Sequence, residues 1–296
     1  MENIPDFLIE ILKEQYGDNI TKQILHGYQV KRKTTLRINT IKTNKEKIEN
    51  QLMKNNIKFQ EVQWYKDSLI IEDVDEIIIK ELDMYKNGEI YLQSLSSMIP
   101  PVVLDPKPET DILDMAAAPG GKTTQIASLS NNESHITACE MNMVRMERLK
   151  YNLEKQGATC VYAMKKDART LDDFFSFDKI LLDAPCSGSG TLNIKYKNMF
   201  TPKLIEKSVS SQIQLLKKAI TVLKPGGEMV YSTCSILQKE NEDVINKVIN
   251  NKICEIVPIE LNDENIRKLP VKIDGTLCVC PDELYEGFFV AKIKKR

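Results

Sequence analysis

The chain has 296 residues, enough for one large domain or two modest domains with real hydrophobic cores. Hydrophobic residues make up 42% and charged residues 28%, and the formal net charge of −1 excludes a global nucleic-acid signature. No stretch approaches the roughly 18 apolar residues of a membrane span. The first ten residues carry three acids and no base, unlike a secretory or mitochondrial leader. We therefore expect a cytoplasmic protein without a membrane partner.

Cysteine and histidine usage limits the chemistry that the chain can perform. The seven cysteines include no C-x-x-C pair, and His26 and His135 are the only two histidines. This pattern is typical of reduced thiols rather than of a disulfide framework or a zinc site. Cys278 and Cys280 alternate in an apolar segment, where burial explains them better than metal binding does. We therefore expect no metal site and no histidine-based catalytic triad.

The N-terminal third predicts a small α+β unit. The hydrophobic patterns and turn residues predict a helix over 4–27 ending at Gly27, a strand over Thr35–Thr40, a helix over Lys45–Asn55, and strands over Phe59–Tyr65 and Leu69–Glu72. An apolar helix after Gln93 then gives way to the proline-rich segment Asp105–Pro108. This segment predicts a domain seam, with one domain over 1–104 and a second over 105–296.

Basic residues are concentrated in one part of this small unit. Between Ile20 and Lys47 a single acid, Glu46, accompanies eight bases, which are Lys22, Lys31, Arg32, Lys33, Arg37, Lys42, Lys45 and Lys47. Such a concentration can follow the phosphates of a nucleic acid. A solvated face of a lysine-rich protein explains it equally well, so the residues alone leave both interpretations open.

After the predicted seam, strand and helix patterns alternate. The predicted strands are Asp111–Met115, His135–Cys139, Cys160–Met164, Lys179–Leu182, Glu228–Ser232 and Phe288–Ile293, and the predicted helices are Lys122–Leu129, Met143–Lys155 and Pro202–Leu223. This alternation predicts a doubly wound α/β sheet with mostly parallel strands. Ligands of such sheets bind outside the carboxyl ends of the strands, where the motifs described next are found.

The first predicted strand of this sheet leads into a glycine-rich turn, Asp114–Thr123. Gly120 and Gly121 can adopt positive φ angles and let a ligand approach the backbone. The end of the turn matches the GKT of a phosphate-binding Walker A loop, but Ala116 stands where that loop needs its leading glycine, and no G-x-G-x-x-G is present. A nucleotide hydrolase therefore remains an alternative.

Acidic residues end the following strands. Glu140 lies about twenty residues past the glycines, where an acid can accept hydrogen bonds from both hydroxyls of a ribose. Asp167 closes the next strand at a position suited to an adenine edge, and Asp183 closes the one after it. Recognition of a nucleoside by acids, without a triphosphate cradle, favours S-adenosylmethionine as the cofactor.

Two cysteines follow strands of the same sheet, Cys186 and Cys234. A thiolate that adds to carbon 6 of a pyrimidine makes carbon 5 nucleophilic enough to accept a methyl group. A free thiol has a pKa of about 8.5, so activation helps. The Ser235–Gln238 segment resembles a capping box, which predicts a helix whose positive end favours a Cys234 thiolate. Cys186 could be a second nucleophile, a proton shuttle or a bystander.

Together these features resemble the RsmB/NSUN, or Sun-type, family of RNA cytosine-5 methyltransferases. The resemblance runs from about Thr35 to the C-terminus and rests on segments that include Leu36–Thr40, Gln93–Ser94, Pro100–Pro101, Ala117–Thr123, Phe177–Gly188, Tyr231–Ser235 and Glu286–Phe289. Ala116 stands where the family usually has cysteine, and Glu140 where aspartate is commoner. Both departures keep the relevant chemistry, a small side chain and a carboxylate.

The resemblance implies a fold, a reaction and site residues. The fold is a Rossmann-like class I S-adenosylmethionine methyltransferase domain preceded by an RRM-like RNA-binding domain. Cys234 is the implied nucleophile, Cys186 assists product release, and Asp183 acts on the cytosine. The implied cofactor residues are Ala116, Ala117, Ala118, Pro119, Gly120, Gly121, Lys122, Glu140, Arg145, Asp167 and Asp183. We expect a monomer that modifies tRNA or rRNA, with a nucleotide hydrolase or an inactive assembly factor as alternatives.

Overall fold

The computed structural model describes residues 4–192, 200–249, 253–261 and 263–296. Within these ranges the helices are α1 Asp6–Gly27, α2 Lys45–Lys54, α3 Glu76–Glu81, α4 Asp83–Lys86, α5 Leu95–Leu104, α6 Gly121–Leu129, α7 Met143–Gln156, α8 Pro202–Val222 and α9 Glu242–Val248. The strands are β1 Thr34–Ile38, β2 Phe59–Glu61, β3 Ser68–Ile71, β4 Ile90–Leu92, β5 Asp111–Asp114, β6 His135–Cys139, β7 Val161–Met164, β8 Phe177–Asp183, β9 Leu223–Thr233, β10 Cys254–Val257, β11 Leu277–Val279 and β12 Phe288–Lys295.

The N-terminal unit contains a four-stranded antiparallel sheet in the order β2-β3-β1-β4. Its buried face packs on α2, because Ile48 and Leu52 lie one helical turn apart and are both fully buried against Leu36 and Ile38. The predicted α+β character is confirmed. The strand β4 and the short helices α3 and α4 are additional elements that the hydrophobic pattern did not predict.

The larger sheet has the order β10-β12-β9-β8-β5-β6-β7, with β11 paired to β12. The strands from β7 to β9 pair in parallel, and β12, β10 and β11 are antiparallel to their neighbours. The predicted α/β sheet is therefore confirmed. The chain enters at β5 and extends first toward β7 and later toward β9, so the switch point lies between β5 and β8. The crevice at this point is where open α/β sheets bind ligands.

Local signals explain where the helices beside this crevice begin and end. The Thr201 hydroxyl caps α8 by accepting a hydrogen bond from the Leu204 N–H at 3.2 Å, with Pro202 in the first turn. Asn142 caps α7 in the same way, and α7 ends at Gly157, which has a φ of 69°. The Thr201 and Asn142 caps therefore fix the starts of α8 and α7, which follow the carboxyl ends of β8 and β6.

The two units are in extensive contact. Arg37 of β1 donates to the Thr124 hydroxyl of α6 at 2.9 Å, and Asn39 donates to the Gln156 carbonyl of α7 at 2.7 Å. The helix α5 packs against α6, β8, β9 and β12, and α1 contributes Leu8, Leu12 and Ile24 to the core beneath β8 and β9. The domain division at 104/105 remains a prediction.

Candidate active site

The glycine-rich turn connects β5 to α6 and has little space for side chains. Gly120 has a φ of 107°, and a Cβ there would approach the Leu149 Cδ1 to 3.0 Å. Gly121 does not need the positive φ that the sequence analysis allowed it, because it begins α6. A Cβ at Gly121 would instead lie 3.2 Å from the Tyr91 ring. The turn therefore requires glycine at both positions for different reasons.

A buried carboxylate shapes the start of the turn. Asp114 is almost inaccessible, and its Oδ2 accepts a hydrogen bond from the Thr123 hydroxyl at 2.7 Å. Burial raises the pKa of Asp114 to about 6. The sequence analysis assigned no role to Asp114 or Thr123, although both belong to the motif that it quoted. Their hydrogen bond closes the turn on itself.

A cavity of about 300 Å³ lies at the carboxyl ends of β5, β6, β7 and β8. Eight of the predicted site residues line it, namely Ala116, Ala118, Glu140, Arg145, Asp167, Asp183, Cys186 and Cys234. We call it the cofactor cavity. Ala116 and Ala118 contribute only methyl groups, which leaves room beside the backbone of the turn.

The two acids that follow β6 and β7 are held by neighbouring groups. Glu140 accepts a hydrogen bond from the Asn142 N–H at 2.7 Å, and its Oε2 lies 3.4 Å from the Arg145 guanidinium. Arg169 forms a two-pronged ion pair with Asp167, with distances of 3.0 and 2.6 Å. This pair lowers the pKa of Asp167, which keeps it ionised. Arg169 is a further cavity residue that the sequence analysis did not identify.

The structure brings the two predicted catalytic thiols together. The Sγ atoms of Cys186 and Cys234 are 2.9 Å apart, and both cysteines are free. The hydrogen bond that Cys186 donates to Cys234, together with burial, raises the pKa of the Cys186 thiol well above its usual value. Cys186 is therefore protonated at neutral pH.

Lys122 and Asp183 form an ion pair beside these thiols. The Lys122 Nζ lies 2.7 Å from the Asp183 Oδ2 and 5.6 Å from the centre of the Phe288 ring. The Ser232 hydroxyl donates to the other Asp183 oxygen at 2.8 Å. Burial acts against the charge of Lys122, but the attraction of Asp183 outweighs it and raises the pKa of Lys122. The pair is charged and directed at the cysteines rather than at a phosphate cradle.

The predicted helix beginning beside Cys234 is wrong. Ser235 to Leu237 form an irregular segment, followed by a 3₁₀ turn over Gln238–Glu240 and then by α9. The Ser235 hydroxyl accepts from the Leu237 N–H at 3.1 Å, so the capping-type contact exists without a following α-helix. The positive charge near Cys234 is Lys122, which was predicted only as a cofactor residue.

A second cavity, of about 380 Å³, adjoins the first, since both are lined by Asp183 and Cys234. Predicted cofactor residues that contact this cavity and not the first are Ala117, Pro119, Gly121 and Lys122. We call it the substrate cavity. Phe288 lines its wall, and the Ser94 hydroxyl donates to the Glu286 carboxylate at 2.8 Å on its lining. Ala116, Ala118, Asp183 and Cys234 line both cavities.

Only part of the basic segment between Ile20 and Lys47 forms a free surface. Arg37 is fully buried, where its guanidinium donates to Gln93 and Thr124, so it belongs neither to a phosphate-binding surface nor to a solvated face. Burial also lowers its pKa. Arg32 and Lys33, in contrast, line a third cavity that shares Ser94 and Glu286 with the substrate cavity.

The fold and these neighbouring cavities define a Rossmann-like α/β domain with two adjacent thiols beside its cavities. The model of the 16S rRNA methyltransferase RsmB/F family matches residues 101–294, and that of the RsmF/B-like ferredoxin-like domain matches 4–76. The chain therefore belongs to the RsmB/F methyltransferase family, and a ferredoxin-like domain precedes its methyltransferase domain. This confirms the family resemblance and leaves the nucleotide-hydrolase alternative without support.

Individual relatives are similar over most of the chain. The tRNA (cytosine(49)-C(5))-methyltransferase of Pyrococcus abyssi is 36% identical over 88% of both chains. The ribosomal RNA small subunit methyltransferase F of Shewanella amazonensis is 34% identical over 98% of this chain, which spans only 64% of that relative. The NSun6 structure of Pyrococcus horikoshii superposes with a TM-score of 0.88 at 25% identity and covers 99% of both chains.

No helix among the described residues is long and apolar enough to cross a membrane. Within the same ranges, no three His, Cys, Asp or Glu side chains are grouped in a way that could hold a metal ion.

Proposed function

We propose that the chain is an S-adenosylmethionine-dependent RNA (cytosine-5) methyltransferase that reacts through a covalent bond between Cys234 and carbon 6 of the cytosine. The observation that carries this proposal is the pair of Sγ atoms 2.9 Å apart beside Asp183, where the two cavities meet. Relatives named as cytosine-C5 methyltransferases of tRNA and rRNA support the reaction class.

The residues of the cofactor cavity fit S-adenosylmethionine. Glu140, buried at the end of β6, presents a carboxylate suited to ribose hydroxyls, and Asp167 at the end of β7 presents one suited to an amino group. Gly120 lines neither cavity, and the absence of a side chain there lets the turn pack against Leu149 of α7. When bound in the cofactor cavity, the cofactor would supply an electrophilic methyl group.

Cys234 supplies the nucleophile for the pyrimidine ring. Its thiolate adds to carbon 6, and the electron pair displaced from the C5–C6 double bond makes carbon 5 nucleophilic. After carbon 5 has been methylated, a base removes the C5 proton, the double bond re-forms and the S–C6 bond breaks. Lys122 is the cation whose charge interacts with Cys234, in place of the helix terminus that the sequence analysis expected.

Asp183 and Cys186 have separate tasks in this scheme. The Asp183 carboxyl, fixed by Lys122 and Ser232, contacts the N3 and amino edge of the cytosine, where charge shifts as the thiolate adds. Cys186 remains a thiol and donates a hydrogen bond to the departing Cys234 sulfur, which assists product release. This division of roles argues against an inactive assembly factor.

The RNA reaches the substrate cavity from the side of the basic segment. Arg32 and Lys33 line the adjoining cavity, where they contact phosphates next to the target nucleotide. The target cytosine is unpaired or flipped out of its helix, because carbon 6 is otherwise shielded by base stacking. Both tRNA and rRNA remain candidate substrates, since relatives of both kinds are similar to this chain.

Bisulfite sequencing of total RNA tests the reaction, the RNA class and the position together. Cells carrying the gene should show at least one protected cytosine that loses its protection when the gene is deleted. Reintroducing the wild-type gene should restore protection, whereas Cys234→Ala should not, although purified Cys234→Ala should still bind the cofactor. Turnover in this variant would overturn the covalent scheme, and an unchanged protection pattern after deletion would overturn the reaction class.

A further inference from the structure

Glu240 is a buried carboxylate that connects the two cysteine loops. Its Oε1 accepts a hydrogen bond from the Ser187 N–H at 2.7 Å, and its Oε2 accepts from the Ser187 and Ser235 hydroxyls, each at 2.6 Å. Ser187 directly follows Cys186, and Ser235 directly follows Cys234. One fully buried side chain therefore holds the residue after each thiol.

The carboxylate is compensated by hydrogen bonds rather than by a cation. In the described part of the chain, Glu240 forms no ion pair within 4.0 Å, and Gln212 lies at the outer limit of hydrogen bonding, 3.5 Å away. Burying a charge without a counter-ion is costly, so short hydrogen bonds from oriented donors are needed to offset the lost hydration. Moving either cysteine loop would break at least one of these bonds.

Other contacts make the arrangement rigid. The Ser189 and Ser235 hydroxyls are 2.7 Å apart, and the Gly190 N–H donates to the Cys234 carbonyl at 3.0 Å. The Tyr231 hydroxyl donates to the Glu240 carbonyl at 2.6 Å, which fixes the 3₁₀ turn to β9. The position of the Glu240 side chain is therefore set independently of the thiols.

The two thiols have opposite electrostatic environments. The charged or titratable groups that act on Cys186 are Cys234 and Glu240, and Tyr231 of β9 is also close; the α8 side chains beside Cys186 in the cofactor cavity, Ser211 and Leu215, are uncharged. The negative charge of Glu240 opposes a thiolate at Cys186. Cys234 instead interacts with the positive charge of Lys122.

We propose that Glu240 is a positioning residue that sets the different roles of the two thiols: its hydrogen bonds to Ser187 and Ser235 hold the loops so that the sulfurs meet, and its negative charge acts on Cys186 while the charge of Lys122 acts on Cys234 with the opposite sign. The part concerning roles in methylation rests on the function proposed above. The part concerning the state of Cys186 does not, because thiol reactivity can be measured without RNA or cofactor.

The charge is tested with Glu240→Gln, which keeps the shape of the side chain. Removing the charge should increase alkylation of Cys186 by iodoacetamide at pH 7.5 about tenfold, because no neighbouring carboxylate then opposes the thiolate. Mass spectrometry should follow this reaction in a Cys234→Ser background, where Cys186 cannot pair with a second thiol. Glu242→Gln is the matched control, since Glu242 is also buried in this segment but contacts Lys272.

The positioning role is tested by measuring turnover on RNA that contains the target cytosine in its unmethylated form. Glu240→Gln should lower kcat about tenfold and change KM for RNA less than twofold, since Glu240 lines neither cavity. Ser235→Ala removes one donor and leaves the charge, so it should lower kcat several-fold without increasing Cys186 alkylation.

Equal Cys186 reactivity in wild type and Glu240→Gln, or an equal increase in Glu242→Gln, would overturn the proposal. Should Glu240→Gln fail to fold, Ser235→Ala decides the matter, and wild-type kcat in that variant would contradict the positioning role. Absence of methylation by the wild-type chain would contradict the proposed function instead and leave the alkylation result interpretable.

Discussion

Charged side chains have different uses in the large sheet and in the four-stranded sheet. At the carboxyl ends of the large sheet, Asp183 and Lys122 pair in the wall between two cavities. In the small sheet Arg37 is buried, and Lys47 on the neighbouring α2 pairs with Glu89 at 2.5 Å. A charge at the end of a parallel strand therefore has a predictable location, whereas a count of bases in a small domain does not indicate which of them are free.

Among variants at the site beside the large sheet, Cys186→Ala should reduce methylation most after Cys234→Ala, which removes the nucleophile. Without the neighbouring thiol, release of Cys234 from carbon 6 should stall, and an RNA–protein adduct should accumulate. Denaturing electrophoresis with labelled RNA measures this adduct. The Cys186→Ala/Cys234→Ala double variant is the control, and an adduct that persists in it would place the covalent bond on another residue.

Asp183→Asn should lower turnover about 10²-fold or more, because an oriented carboxyl is lost where charge shifts during thiolate addition. Its effect on cofactor affinity should be much smaller, although Asp183 lines both cavities. Single-turnover methylation and calorimetric titration with the cofactor separate the two quantities. Normal turnover combined with weak cofactor binding would restrict Asp183 to the cofactor site.

Arg37→Ala should destabilise the fold rather than weaken RNA binding through lost phosphate contacts. It leaves Gln93 and Thr124 without their buried donor and opens a cavity, at a cost of about 3 kcal/mol in the free energy of unfolding. Lys47→Ala, which removes an ion pair whose lysine is half exposed, should cost less than about 1 kcal/mol. Urea denaturation compares the variants, and similar midpoints would contradict the structural role of Arg37.

Neutralising Arg32 and Lys33 should have a smaller, salt-dependent effect. The Arg32→Gln/Lys33→Gln variant should reduce the log–log slope of RNA affinity against salt by somewhat under one unit for each lost phosphate contact. The choice of cytosine should survive, because it is made in the substrate cavity. Filter binding at several salt concentrations measures the slope. Lys45→Gln/Lys47→Gln removes the same charge from lysines that are paired with Glu61 and Glu89, and an equal reduction there would refute a localised phosphate site.

The sequence by itself determined the class of the large domain and most of its candidate site. Strand periodicity located the strands that form the parallel part of the sheet, and parallel strands place their carboxyl ends on one edge. Residues that follow those strands, including Glu140, Asp183, Cys186 and Cys234, therefore had to meet. The sequence also predicted that Gly120 can adopt a positive φ angle. The structure has a φ of 107° there, which residues other than glycine rarely adopt.

Only the tertiary structure decided which side chains pair with each other. Lys122 belongs to the glycine-rich turn but forms an ion pair with Asp183, which follows a different strand. Glu240 accepts hydrogen bonds from the loops of both thiols. No periodic pattern in the sequence indicates either contact. Arg37 belongs to a basic segment and is nevertheless buried. Periodicity reports which face of an element is apolar, but the partner of a polar side chain depends on how distant segments pack, and that information is not contained in any local pattern.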